Sequence, residues 1–184
     1  MVEVVQSSIF SREDVDWQGY VVCPGIEEAF SQKRCTVWEK LISFGHRYGG
    51  FMFHWVIEEQ LARGKRPGYG GGRRAQVPRA DVDKWIDEAK STYAIKSIIC
   101  LLGQDQLDLY ASLPADLVSY YRGHGFEVEH IPVHDHQRPP LSDTDLARVW
   151  SAYKLLPKPV LVHCSAGVDR TVKAVEHIKR QLGL

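Results

Sequence analysis

Pro159-Val160-Leu161-Val162-His163-Cys164-Ser165-Ala166-Gly167-Val168-Asp169-Arg170-Thr171 is the stretch whose reading decides the fold of this chain. Val160 to Val162 is a short apolar run of the kind that forms a buried strand. The run breaks into small residues, and a helical pattern starts at about Asp169 and continues to Leu182. A strand, a tight loop and a helix in that order build an anion site. The loop N–H groups converge on one point, and the helix N-terminus adds its partial positive charge.

A cysteine at the start of such a loop sits where a thiolate is favoured. Arg170, at the far end, carries a planar fork of donors that matches two phosphate oxygens. Gly167 permits a backbone conformation that a residue with a Cβ resists. Thr171 offers a hydroxyl near the sulfur, and His163 precedes the cysteine, where it fixes the loop or tunes the thiol. Together these residues suit a nucleophile that attacks phosphorus.

His163-Cys164-x-x-Gly167-x-x-Arg170-Thr171 resembles the signature of the cysteine-dependent protein tyrosine phosphatases, and the length of 184 residues resembles their small, atypical dual-specificity branch. The resemblance implies an α/β fold with a mostly parallel central sheet flanked by helices. It implies Cys164 as nucleophile, with phosphate held by the backbone of Ser165, Ala166, Gly167, Val168, Asp169 and Arg170 and by the Arg170 side chain. It implies no cofactor.

The general acid that the resemblance requires is an aspartate on a loop after a strand, ahead of the cysteine. Asp135 in His134-Asp135-His136-Gln137-Arg138-Pro139-Pro140 matches that place. Displacing an alkoxide or phenolate needs such a proton donor, and later a base for water. Asp143 and Asp145 are rivals, but Ser142 is a good N-cap for a helix there, so they suit the helix dipole. His134, Asp135, His136 and His163 also invite a zinc reading. The cysteine–arginine loop makes a metal unnecessary, and the two loop histidines are expected to position Asp135.

The length suits one domain, and residues 51–184 are expected to form it, with residues 1–50 an extension that packs on it. The 23 basic and 23 acidic residues balance, so no global field draws the chain to nucleic acid or membrane. No apolar run is long enough to span a bilayer. Met1 to Val5 carries no basic n-region before an apolar stretch. Cys23, Cys35, Cys100 and Cys164 have neither metal-knuckle nor redox spacing, so a cytoplasmic, reduced protein is expected; a monomer is expected as well.

Along the chain, the spacing predicts a helix over 36–44 and a turn at Cys23-Pro24-Gly25, then a strand from Phe51 to Ile57. Arg63 to Arg74 holds five basic residues, four glycines beyond Gly64 and no acid, and reads either as a mobile loop at the pocket rim that contacts an anionic substrate or as a plain solvated loop. Asp81 is the expected N-cap of a helix to about Thr92, with Val82, Trp85, Ile86 and Ala89 on one face. A buried strand over Ile95 to Leu102, with Cys100 in the core, is followed by a loop or short helix to Ala111. A helix starting at Pro114 and a strand from Phe126 to Val133 complete the pattern. Helices alternating with strands argue for the same parallel α/β sheet that the resemblance implies.

Substrates expected from the resemblance are phosphotyrosine and also phosphoserine or phosphothreonine proteins, or a small phosphorylated molecule. The alternatives are a phosphoinositide, an inositol phosphate or the 5′-phosphate of RNA. Only the basic stretch favours RNA. Val172 stands where the family commonly has glycine, which makes a phosphate-binding module without turnover a further alternative. An arsenate- or redox-linked thiol enzyme would use Cys100 as its second thiol.

Overall fold

The computed structural model describes residues 52–70 and 74–184. The expected extension of residues 1–50, with its helix, its turn and Cys23 and Cys35, lies outside the described residues, as do Gly71, Gly72 and Arg73.

Among the described residues five strands form one sheet: β1 (Phe53–Ile57), β2 (Leu61–Lys65), β3 (Ser97–Cys100), β4 (Glu127–His130) and β5 (Val160–Cys164), in the order β1-β2-β5-β3-β4. All neighbours are parallel except β1, which runs antiparallel to β2 at the edge. The helices are α1 (Arg79–Ser91), α2 (Gln104–Leu107), α3 (Leu117–Gly123), α4 (Asp143–Leu155) and α5 (Asp169–Gln181), with a 3₁₀ turn at Asp108–Tyr110. This is the α/β architecture expected, with helices covering both faces of a mostly parallel sheet.

β5 is buried at every residue, and its period of two divides the core. Val160, Val162 and Cys164 face the layer of α4 and α5, where they meet Leu146, Val149, Ala174 and Ile178. Leu161 faces the opposite layer, with Trp85, Tyr121 and Phe53. His163 shares that second side, its ring edge-on to both Trp85 and Tyr121.

Several elements correct the sequence reading. The basic loop does not begin at Arg63, because Leu61–Lys65 is strand β2, inserted between β1 and β5. LARGK lacks the branched and aromatic residues that mark a strand. Its small residues are what the position needs: a Cβ on Gly64 would lie 2.6 Å from the Phe53 ring. The first long helix starts at Arg79 with Pro78 at its N-cap, so Asp81 lies in its first turn and does not cap it. The buried face of Val82, Trp85, Ile86 and Ala89 is as expected. Pro114 lies ahead of α3; Asp116 is the N-cap, accepting from the Ser119 N–H at 3.0 Å. β3 and β4 are four residues each, shorter than their apolar runs.

Candidate active site

The site lies at the C-terminal ends of the parallel strands, where open α/β sheets bind ligands. β5 delivers Cys164, and five residues later α5 begins at Asp169. Gly167 has φ of +72°, and a Cβ there would come within 2.6 Å of the Gly64 carbonyl oxygen. Glycine at 167 and at 64 therefore lets the loop close down on β2. The Arg66 N–H donates to the Ser165 carbonyl at 3.0 Å, carrying the β2–β5 pairing into the loop.

Arg170 is the most heavily bonded side chain of the site and is 3 % exposed. Its Nη1 donates to the Leu101 carbonyl at 2.9 Å, the Val133 carbonyl at 2.7 Å and Gln106 Oε1 at 2.9 Å. Its Nη2 donates to Asp135 Oδ1 at 2.9 Å. The guanidinium thus ties the ends of β3 and β4 to the first turn of α5.

Asp135 is brought to Arg170 across 35 positions of sequence. Its other oxygen accepts from Gln106 Nε2 at 3.2 Å. His136, at φ of +61°, donates its backbone N–H to Asp135 Oδ1, and its ring lies 3.7 Å from Oδ2. His134 is exposed. Asp143 and Asp145 stand apart at the start of α4. Asp145 closes a capping box with Ser142, accepting from its N–H at 3.0 Å and its hydroxyl at 2.7 Å. Both rivals to Asp135 therefore sit where a helix N-terminus favours carboxylates.

His163 is fully buried. Its Nδ1 lies 3.3 Å from the Cys164 carbonyl and its Nε2 3.4 Å from the Tyr121 hydroxyl. Burial is the main reason its pKa drops to about 4, and the Arg170, His130 and Arg66 charges push the same way. The imidazole is neutral at pH 7 and braces the backbone under the loop from the face opposite Cys164. Thr171 is buried, and its hydroxyl has no hydrogen-bond partner among the described residues. Ser165 is buried, Ala166 and Gly167 are half-buried, and Val168 and Asp169 face solvent.

Cys100 pairs with His163 across the β3–β5 register and lies in the core layer opposite that of Cys164. Burial pushes its thiol up to about 12. It is a core residue, as expected, and its place on the opposite face argues against a thiol pair with Cys164. Among the described residues no group of three histidine, cysteine or acidic side chains is placed to hold a metal ion. No helix among them is long and apolar enough to cross a membrane.

Two residues of the site escaped the sequence reading. Gln106 carries no motif, although a residue just beyond the end of a parallel strand is a natural place to look. Arg66 belongs to the basic stretch read as a rim loop, yet it is 2 % exposed, its Nε 3.4 Å from the Ser165 hydroxyl. Its Nη1 reaches the Pro67 carbonyl at 3.2 Å and the Tyr110 hydroxyl at 3.4 Å, while Nη2 is buried without a partner among the described residues. The small cavity beside Arg170 measures about 20 Å³ and is lined by the 135–140 loop and Asp169. A larger groove of about 610 Å³ runs between α4 and α5, and neither Cys164, Arg170 nor Asp135 lines it.

The architecture matches solved phosphatases. PTPMT1, solved in complex with PI(5)P, superposes with a TM-score of 0.52 at 14% identity, covering 72% of this chain and 74% of that one. The chain has the protein tyrosine phosphatase fold. Kinase associated phosphatase, solved with its catalytic-site cysteine replaced by serine, superposes on this phosphatase fold with a TM-score of 0.51 at 18% identity, over 66% of this chain and 65% of its own. By sequence alone no family model and no curated protein matches.

Proposed function

We propose that this chain is a cysteine-dependent phosphoric monoester hydrolase, acting on phosphotyrosine and on phosphoserine or phosphothreonine in proteins. One observation carries the reading: Cys164 and Arg170 bracket a glycine-bent loop at a helix N-terminus, and the chain brings Asp135 back to that same arginine at 2.9 Å. The protein tyrosine phosphatase fold supports it.

In the reaction, the Cys164 thiolate attacks phosphorus, the S–P bond forms and the P–O ester bond breaks. The leaving oxygen takes a proton from Asp135. Loop amides from Ser165 to Arg170, with the Arg170 guanidinium, hold the equatorial oxygens as charge builds on them. Water then attacks the cysteinyl-phosphate, giving its proton to Asp135, while the S–P bond breaks. The otherwise unpaired Thr171 hydroxyl donates to the departing sulfur. No cofactor takes part. An arriving phosphate competes with Asp135 for Arg170 Nη2, which frees the carboxyl for its proton transfers.

A second reading has an observation of its own. Arg66 adds a buried positive charge beside Ser165, which favours a substrate with more than one phosphate, such as a phosphoinositide or an inositol phosphate. PTPMT1, of like fold, was solved with PI(5)P bound.

The test is hydrolysis of an aryl phosphate across pH by the parent, Cys164→Ser and Asp135→Asn. Cys164→Ser is expected to be inactive. Asp135→Asn is expected to lose about a hundredfold in kcat, together with the basic limb of the pH profile. A parent that binds vanadate without turning over substrate would replace the enzyme with a phosphate-binding module. Phosphopeptides set against inositol phosphates then separate the two substrate readings.

A further inference from the structure

Gln106 sits in the single turn of α2, just beyond the end of β3, and is 6 % exposed. Its amide touches the phosphate-binding arginine with one end and the acid with the other. Oε1 accepts from Arg170 Nη1 at 2.9 Å, and Nε2 donates to Asp135 Oδ2 at 3.2 Å. Which end faces which group follows from chemistry. A guanidinium only donates, so the amide oxygen has to face Arg170, and the NH₂ then faces the carboxylate. The Gly103 N–H, 3.4 Å from Oε1, favours the same orientation.

Few side chains meet both demands. Glutamate has acceptors at both ends, so it would keep Arg170 and repel Asp135. Leucine has neither donor nor acceptor. Glutamine is neutral, long enough to bridge, and carries one group of each kind. Its loss would leave little unsatisfied at Arg170, because Nη1 has two hydrogens and keeps the Leu101 and Val133 carbonyls. What would be lost is the aim of the carboxyl relative to the guanidinium.

We propose that Gln106 is a positioning residue of the reaction: its amide clasps Arg170 and Asp135 together, so that the proton donor and the phosphate-binding fork address the same phosphoryl group. The inference rests on the reading of Asp135 as general acid. Gln106 touches no substrate atom and acts through the two side chains it bridges.

The test uses the dependence of kcat/KM on the leaving group, because a misplaced acid penalises poor leaving groups and spares good ones. Phenyl phosphate needs the proton, whereas 2,4-dinitrophenyl phosphate departs without it. Gln106→Leu and Gln106→Glu are each expected to lose about tenfold on phenyl phosphate and less than about threefold on the dinitrophenyl ester. Asp135→Asn should show the same pattern more strongly, and adding Gln106→Leu to it should steepen the dependence no further. Thermal unfolding of each variant checks that it is folded.

Equal losses on both esters, with or without a fall in melting temperature, would make Gln106 a packing residue and overturn the proposal. A steeper dependence in Asp135→Asn but not in either Gln106 variant would overturn it while leaving the acid in place. An unchanged dependence in Asp135→Asn would instead remove the acid reading, and this inference with it.

Discussion

Two arginines flank the loop after β5, both at least 97 % buried, and they are held in opposite ways. Arg170 faces a carboxylate, two backbone carbonyls and an amide oxygen, so its charge is answered within the protein. Arg66 finds a carbonyl and two hydroxyls, and one of its nitrogens has no partner among the described residues. No carboxylate among the described residues pairs with it; instead its guanidinium lies about 6 Å from the rings of Tyr69 and Tyr110. Tyr110 does not supply the missing charge. Burial raises its hydroxyl well above the ordinary tyrosine range, beyond any working pH. Burying an ion without a counter-ion costs several kcal/mol. One guanidinium therefore rests neutralised, and the other has no counter-charge among the described residues, beside the loop proposed to bind phosphate.

The sharpest way to break this contrast is to remove each arginine in turn. Arg170→Met strands the Asp135 carboxylate and frees two carbonyls. It is expected to destabilise the fold by about 3 kcal/mol, the low end for breaking a buried pair because Asp135 is partly exposed. It should also lower kcat about a thousandfold. Urea unfolding and aryl phosphate turnover measure the two losses. A stability equal to that of the parent would mean that the Asp135 pair contributes nothing to the fold.

His163 senses both arginines and gives a pH readout. Its folded pKa of about 4 lies below the ordinary value of 6.5, so the unfolded chain binds the extra proton first. The stability linked to this histidine is whole above pH 6.5 and falls as the pH drops towards 4, by about 3 kcal/mol across that window. His163→Gln should flatten the slope of unfolding free energy between pH 7 and 5. An unchanged slope would mean that the imidazole takes up its proton over the same pH range in the folded and the unfolded chain.

The smallest change is expected from Arg66→Met. Removing an unanswered buried charge should leave stability unchanged or raise it by about 1 kcal/mol, opposite in sign to Arg170→Met. Vanadate binding should weaken about tenfold through loss of one charged partner of the site. Melting temperature and a vanadate titration report both. A large drop in stability would mean that an anionic partner for Arg66 exists in the resting protein.

The loop and its two ends were legible because they are local. Val160 to Thr171 carries its own strand, bend and helix start, and Gly167 takes the positive φ that its residue type permits. Ser142 and Asp145 likewise announced a helix N-terminus by spacing alone. β2 was not legible, because Gly64 answers the closeness of the Phe53 ring and not strand propensity. Arg66 looked like any charge in a basic stretch. Only the position of β2 against β5 turns its side chain inward to Ser165. Gln106 had no signal in its own neighbourhood, since both groups it bridges lie far along the chain.

The sequence by itself determined the chemistry on offer: a cysteine and an arginine at the two ends of one loop, and an aspartate after an earlier strand. Short-range periodicity and turn chemistry suffice for that. Only the tertiary structure decided which partners those groups meet. Parallel strands β3, β4 and β5 end at the same level, so residues separated by 35, 64 and 69 positions converge on one guanidinium. Hydrogen bonds and charge act over a few ångströms, and it is the register of the sheet that decides which groups come that close.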